Sequence, residues 1–117
     1  MGSEGLPVTL RRFVLNTFDT ISAVEVLLFL YHQPARPWPV ESVAQRLRLD
    51  DRQAAGILAD LTARGLLRRG DQGFEYGPRA EDGAAVTMLA DYYRRYRWRI
   101  TGLVFSKEDA PGDGPLT

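Results

Sequence analysis

The chain has no cysteine and a single histidine, His32. The first absence rules out a disulfide framework and a thiolate metal site; the second leaves no further imidazole to complete a ligand set. Nothing in the composition asks for an oxidising compartment, and a reducing cytoplasm is the location expected. Long hydrophobic runs are also missing. The longest, Val26-Leu27-Leu28-Phe29-Leu30-Tyr31, is far short of the ~20 residues a membrane span needs, and no signal-peptide pattern opens the chain. A soluble protein with no membrane partner is expected. Neither sign of charge is in excess, since 15 basic residues balance 15 acidic ones. No global field draws the chain to nucleic acid, so any such surface must be local.

The residues for catalysis are equally sparse. No glycine-rich phosphate loop follows a strand, and there is no cysteine to serve as a nucleophile. His32 stands at the end of an apolar helical run, where an imidazole serves as a helix-end donor to a carbonyl. Glu81-Asp82 supply negative charge to the start of the last helix. The chain is expected to be no enzyme and to need no cofactor or metal.

What is present is arginine: all of the basic residues except Lys107. With 117 residues, 44% hydrophobic and 26% charged, the chain suits one globular domain with a modest core. The expected organisation is a flexible leader over residues 1–9, a single domain over 10–105 and a flexible tail over 106–117. From Leu10 to Leu15 the apolar residues suit a short helix or an arm laid over a partner. Ser22 and Glu25 have capping-box spacing, predicting a helix from Ser22 to about Tyr31. Pro34 and Pro37 to Pro39 separate it from the next element.

From Pro39 to Tyr76 the pattern is most informative. Val40, Val43, Ala44 and Leu47 fall at helical intervals, and Ala54, Ile57, Leu58 and Leu61 repeat an i, i+3, i+4, i+7 stripe. Only Leu47-Arg48-Leu49-Asp50 joins the two, too little for anything but a sharp turn, with Asp50 as the N-cap of the second helix. Gly65 ends that helix as a C-cap. Leu66 to Arg69 and Phe74 to Tyr76 then flank Gly70-Asp71-Gln72-Gly73, a connection suited to a hairpin. The fold class expected is mainly α with a small β-hairpin wing: a winged helix-turn-helix with flanking N- and C-terminal helices.

Here the chain resembles winged-helix transcriptional regulators of the MarR and PadR type. Their recognition helix typically ends in a leucine, three further residues and Gly-Leu, which in this sequence reads Leu61-Thr62-Ala63-Arg64-Gly65-Leu66. The chain departs from that pattern at Arg48, where such turns often carry glycine, and at Asp50-Asp51, which brings negative charge to the start of the second helix. The resemblance implies sequence-specific binding of double-stranded DNA by a dimeric regulator; winged helices also serve as protein-docking modules without DNA.

With one face of the second helix inward, Arg52, Gln53, Ala55, Gly56 and Ala59 point outward near its start. Arg52 is suited to guanine and Gln53 to adenine, while Ala55 and Gly56 allow close approach to base edges. Ser42, Gln45, Arg46, Arg64, Arg68, Arg69 and Gln72 are the expected backbone contacts. Alternatively, these arginines simply solvate a surface also carrying Asp50, Asp51, Asp60 and Asp71.

The last pattern predicts one long helix over 81–105, with Val86, Leu89, Ala90, Tyr93, Arg97, Ile100 and Val104 on a stripe. A homodimer is expected through it and the N-terminal segment, using Phe13, Val86, Leu89, Tyr93, Arg97, Ile100 and Val104. Tyr92 to Arg99 interleaves aromatics with arginine as single-strand-binding surfaces do, but on a helix these residues cover every face. They are read as core and interface aromatics with arginine stems across them, including an Arg94–Trp98 cation–π pair. A small-molecule effector site lined by Phe18, Phe29, Tyr31 and Tyr93 is the last candidate; aromatics so spaced are more often core.

Overall fold

The computed structural model describes residues 6–33 and 36–108; leader residues 1–5, Pro34 and tail residues 109–117 lie outside them. In chain order the elements are α1 (Val8–Thr17), α2 (Ile21–Tyr31), α3 (Val40–Leu47), α4 (Asp51–Ala63), β1 (Leu67–Gly70), β2 (Gly73–Tyr76), α5 (Ala80–Arg95) and α6 (Arg97–Glu108). The protein is mainly helical with one small antiparallel sheet. Helix α1 takes in residues 8–9 of the expected leader, and α6 continues through 106–108 of the expected tail. The chain divides into two compact units: Ser22–Gly83, and the stretches on either side of it. Among the described residues no single helix is long and apolar enough to cross a membrane.

Within Ser22–Gly83, α2 buries Ala23, Val24, Val26, Leu27, Leu28 and Leu30, as a helix apolar on nearly all sides must. It begins at Ile21. Ser22 therefore lies inside the first turn, and the expected capping box does not open the helix, because an N-cap needs non-helical backbone. Helix α3 buries Val43 and Ala44 and stops at Arg48, which takes left-handed backbone (φ 61°, ψ 45°). The Leu49 N–H donates back to the Ala44 carbonyl at 2.9 Å. Holding a residue with a Cβ in that conformation costs on the order of 1 kcal/mol, a strain the tight turn imposes. Asp50 then caps α4, its Oδ1 accepting the Gln53 N–H at 2.7 Å.

Helix α4 buries Ala54, Leu58 and Leu61, the stripe the spacing predicts, with Ile57 half-buried. It closes on Gly65 at φ 83°. The Leu66 N–H donates to Leu61 and the Gly65 N–H to Thr62, both at 3.0 Å, satisfying two orphan carbonyls in a Schellman arrangement. Leu61 and Leu66, which accompany this motif as its apolar pair, are both buried.

The hairpin has a shorter loop than the four-residue connection expected from the sequence. Gly70 and Gly73 pair as strand residues, with Leu67 opposite Tyr76, Arg68 opposite Glu75 and Arg69 opposite Phe74, leaving Asp71-Gln72 as the loop. Trp38 adds a one-residue third rung: its N–H donates to the Phe74 carbonyl at 2.7 Å and its carbonyl accepts the Phe74 N–H at 2.9 Å. Gly73, at φ 133°, permits this approach, since a Cβ there would lie 2.4 Å from the Trp38 carbonyl.

In the other unit α1 is a helix, not an arm; it buries Leu10, Val14 and Thr17 at i, i+4 and i+7, and packs against α6. Phe13 meets Phe18 edge-on, centroids 5.8 Å apart. The single helix expected over 81–105 is two, broken at Tyr96. The Tyr96 N–H closes α5 on the Tyr92 carbonyl, and its own carbonyl accepts the Arg99 N–H at 2.9 Å to start α6. Tyrosine, tryptophan and arginine crowd this point, and the aromatics lose side-chain freedom in a helix.

Candidate nucleic-acid interface

The four expected base-reading positions lie together near the start of α4. Arg52, Gln53 and Gly56 are exposed and Ala55 is half-buried, because burial of Ala54, Leu58 and Leu61 turns that face outward. No carboxylate pairs with Arg52 among the described residues. A Cβ added at Gly56 meets nothing within 4 Å, so the surface there is open. Asp51, also exposed, places an acidic side chain in the first turn at the same end, where it complements the helix dipole.

The expected backbone contacts divide. Gln45 and Arg46 on α3 are exposed and Ser42 is half-buried; Arg69 and Gln72 are exposed on the hairpin. Arg64 does not reach outward freely, because its Nε donates to Asp60 Oδ2 at 2.8 Å one turn earlier. Arg68 lies 3.5 Å from Glu75 Oε2, directly across the ladder, so its charge is partly cancelled. Adjacent strand residues face opposite sides of a sheet; Arg69 consequently escapes that pairing, and its guanidinium sits over the Phe74 ring, 5.5 Å from the centroid.

The sequence reading missed Trp38. It is 4% exposed, lies edge-on to Phe29 with centroids 4.8 Å apart, and carries the Arg36 guanidinium 4.3 Å from its ring centre. Arg46 lies 5.6 Å from the same ring and 5.5 Å from Phe29. The available signal was Pro37-Trp38-Pro39, because a residue before proline is driven to extended backbone and a tryptophan so held is placed to join a sheet edge.

The residues expected to form a dimer contact are placed differently. Val86, Leu89 and Ile100 are fully buried and Val104 nearly so within a single chain. An apolar stripe reads the same whether the chain itself or a second copy covers it. These four thus have no surface to give a partner. Phe13 and Tyr93 are half-buried, and Arg97 is exposed with its guanidinium 5.2 Å from the Tyr93 ring. Among the described residues the large apolar side chains left open are Val8, Tyr96, Trp98 and Phe105, 69%, 37%, 66% and 53% exposed. Trp98 also lines an open groove of about 360 Å³ with Leu6, Arg11, Arg99, Gly102 and Leu103. The expected Arg94–Trp98 pair does not form, because Arg94 bonds Asp91 at 2.7 Å and Arg99 takes the place over Trp98, at 4.5 Å.

The four aromatics considered for an effector each pack on separate neighbours. Phe18 meets Phe13, Phe29 meets Trp38, and Tyr93 meets Arg97. Tyr31 lies edge-on to Tyr76 at 5.1 Å. Burial, helped by Tyr31 and Asp82, pushes the Tyr76 hydroxyl up to about 12, so Tyr76 enters this contact as a neutral phenol. His32 is exposed and stacks edge-on against Tyr31 at 5.0 Å.

Compared with known protein families, curated proteins and solved structures, the chain matches none.

Proposed function

We propose that the chain is a winged helix-turn-helix that binds double-stranded DNA sequence-selectively, with α4 as the recognition helix, the hairpin as the wing and two copies acting together as a transcriptional regulator. The observation that carries this reading is the outward face at the start of α4. Arg52 and Gln53 stand there exposed beside open Gly56, on a helix fixed by a cap at each end. These are the side chains suited to guanine and adenine edges in the major groove. The order of tight turn, capped helix and hairpin supports it independently of those residues.

The exposed Val8, Trp98 and Phe105 favour self-association, which would present two recognition helices to half-sites about one DNA turn, ~34–36 Å, apart. Fluorescence anisotropy with a preferred and a scrambled duplex tests the DNA reading. Arg52→Ala should lose about 1–3 kcal/mol of discrimination at one base position, while Arg69→Ala should weaken all duplexes alike. No binding of any duplex at about 50 mM salt by folded protein would end it, and the chain would then be sought among protein-docking winged helices.

A further inference from the structure

We infer that Arg36, Arg46 and Arg69 form a phosphate-gripping row held in position by the rings of Trp38, Phe29 and Phe74. The inference rests on the DNA-binding reading above and deepens it by naming a backbone subsite that includes Arg36 and Trp38.

The row follows from the ladder. Residues directly opposite in antiparallel strands share a face of the sheet. Arg69 is opposite Phe74, and Phe74 is opposite Trp38, so these three side chains rise from one face. Phe29 of α2 abuts Trp38, and Arg46 of α3 reaches both rings. Arg36, two residues before Trp38, lies over the indole at 4.3 Å.

Charge separates these three from their neighbours. Among the described residues none of Arg36, Arg46 and Arg69 pairs with a carboxylate, whereas Arg64 and Arg68 do. All three are exposed. A guanidinium laid against a ring keeps its edge N–H donors outward, the geometry that meets a phosphate, and stacking limits the freedom it would lose on binding.

Tryptophan itself points the same way. The Trp38 Nε1–H is buried without an acceptor among the described residues, a cost that phenylalanine would avoid. Indole has the strongest face for a cation, so the ring is suited to holding guanidinium groups.

The test is anisotropy of the full chain with duplex DNA at about 50 and 200 mM salt, with thermal melting by circular dichroism as the control for folding. Each of Arg36→Ala, Arg46→Ala and Arg69→Ala should flatten the log–log salt slope by about 0.9 and leave the ratio of preferred to scrambled duplex unchanged. Arg36→Lys with Arg46→Lys should keep the slope and lose affinity, because charge survives and stacking does not. Trp38→Phe should weaken every duplex about two- to fivefold with the fold intact. Wild-type binding combined with unchanged slopes in folded alanine variants would overturn the row alone; failure of wild type to bind any duplex would overturn the DNA reading and the row with it.

Discussion

The unit Ser22–Gly83 and the unit containing α1 and α6 treat their surfaces in opposite ways. In the first, among the described residues, no large apolar side chain is exposed, and the open positions of α3, α4 and the hairpin are mostly arginine, glutamine, aspartate and glycine. In the second, Val8, Tyr96, Trp98 and Phe105 are all exposed. A surface of arginines with few carboxylate partners suits a polyanion, whereas large apolar side chains left in water suit a protein surface. A near-zero net charge conceals this difference, because the sum over the chain says nothing of where free cations sit.

The contrast can be broken first at its foundation. Leu61→Ala removes a fully buried side chain from α4 and should cost about 2–5 kcal/mol in denaturant unfolding, disabling the arginine surface by unfolding its support. Gly73→Ala should come next, at roughly 1–3 kcal/mol, since it combines positive φ with a clash against Trp38 backbone. Gly65→Ala should cost less despite its φ of 83°, because the atoms in the way belong to the flexible Arg79 side chain.

Arg48→Gly should move the other way, raising stability by about 1 kcal/mol by relieving left-handed strain; a lower melting temperature would show that Arg48 makes a compensating contact. Trp98→Ser with Phe105→Ser sharpens the contrast from the other side. Both residues are exposed, so stability of the single chain should stay within about 0.5 kcal/mol while sedimentation at tens of micromolar shifts from dimer to monomer. A monomer in the wild type would remove the self-association reading.

The smallest effect belongs to Tyr76. Its folded value is raised from 10.0 to about 12 by burial, Tyr31 and Asp82, so the folded state holds the proton longer than the unfolded chain. The associated stability is present below pH 10 and is lost as pH rises towards about 12. Tyr76→Phe should therefore flatten the alkaline decline in melting temperature over that window, and an unchanged decline would place its cause elsewhere.

How far the sequence could be read follows the same division. From Asp50 to Gly65 the stripe, cap and terminal glycine are independent local signals that agree, and consistency across levels is what makes an element readable. The Tyr96 break was hidden because Tyr93 and Ile100 are seven residues apart, so the stripe keeps its phase with or without the interruption. Trp38 was missed as a strand because a single rung has no periodicity. Of the candidate site, the α4 face was legible from geometry alone; the pairing of Arg64 with Asp60 and Arg68 with Glu75, which decides which arginines remain available, required the fold.

The central claim is that the outward face of α4 reads DNA. Its most direct test is anisotropy of wild type and Arg52→Ala with preferred and scrambled duplexes at about 50 and 200 mM salt. The account predicts salt-sensitive, sequence-preferring binding by wild type and a reduced preference in the variant, with the fold unchanged. Equal preference in the two proteins, or no binding by wild type at the lower salt, would contradict it.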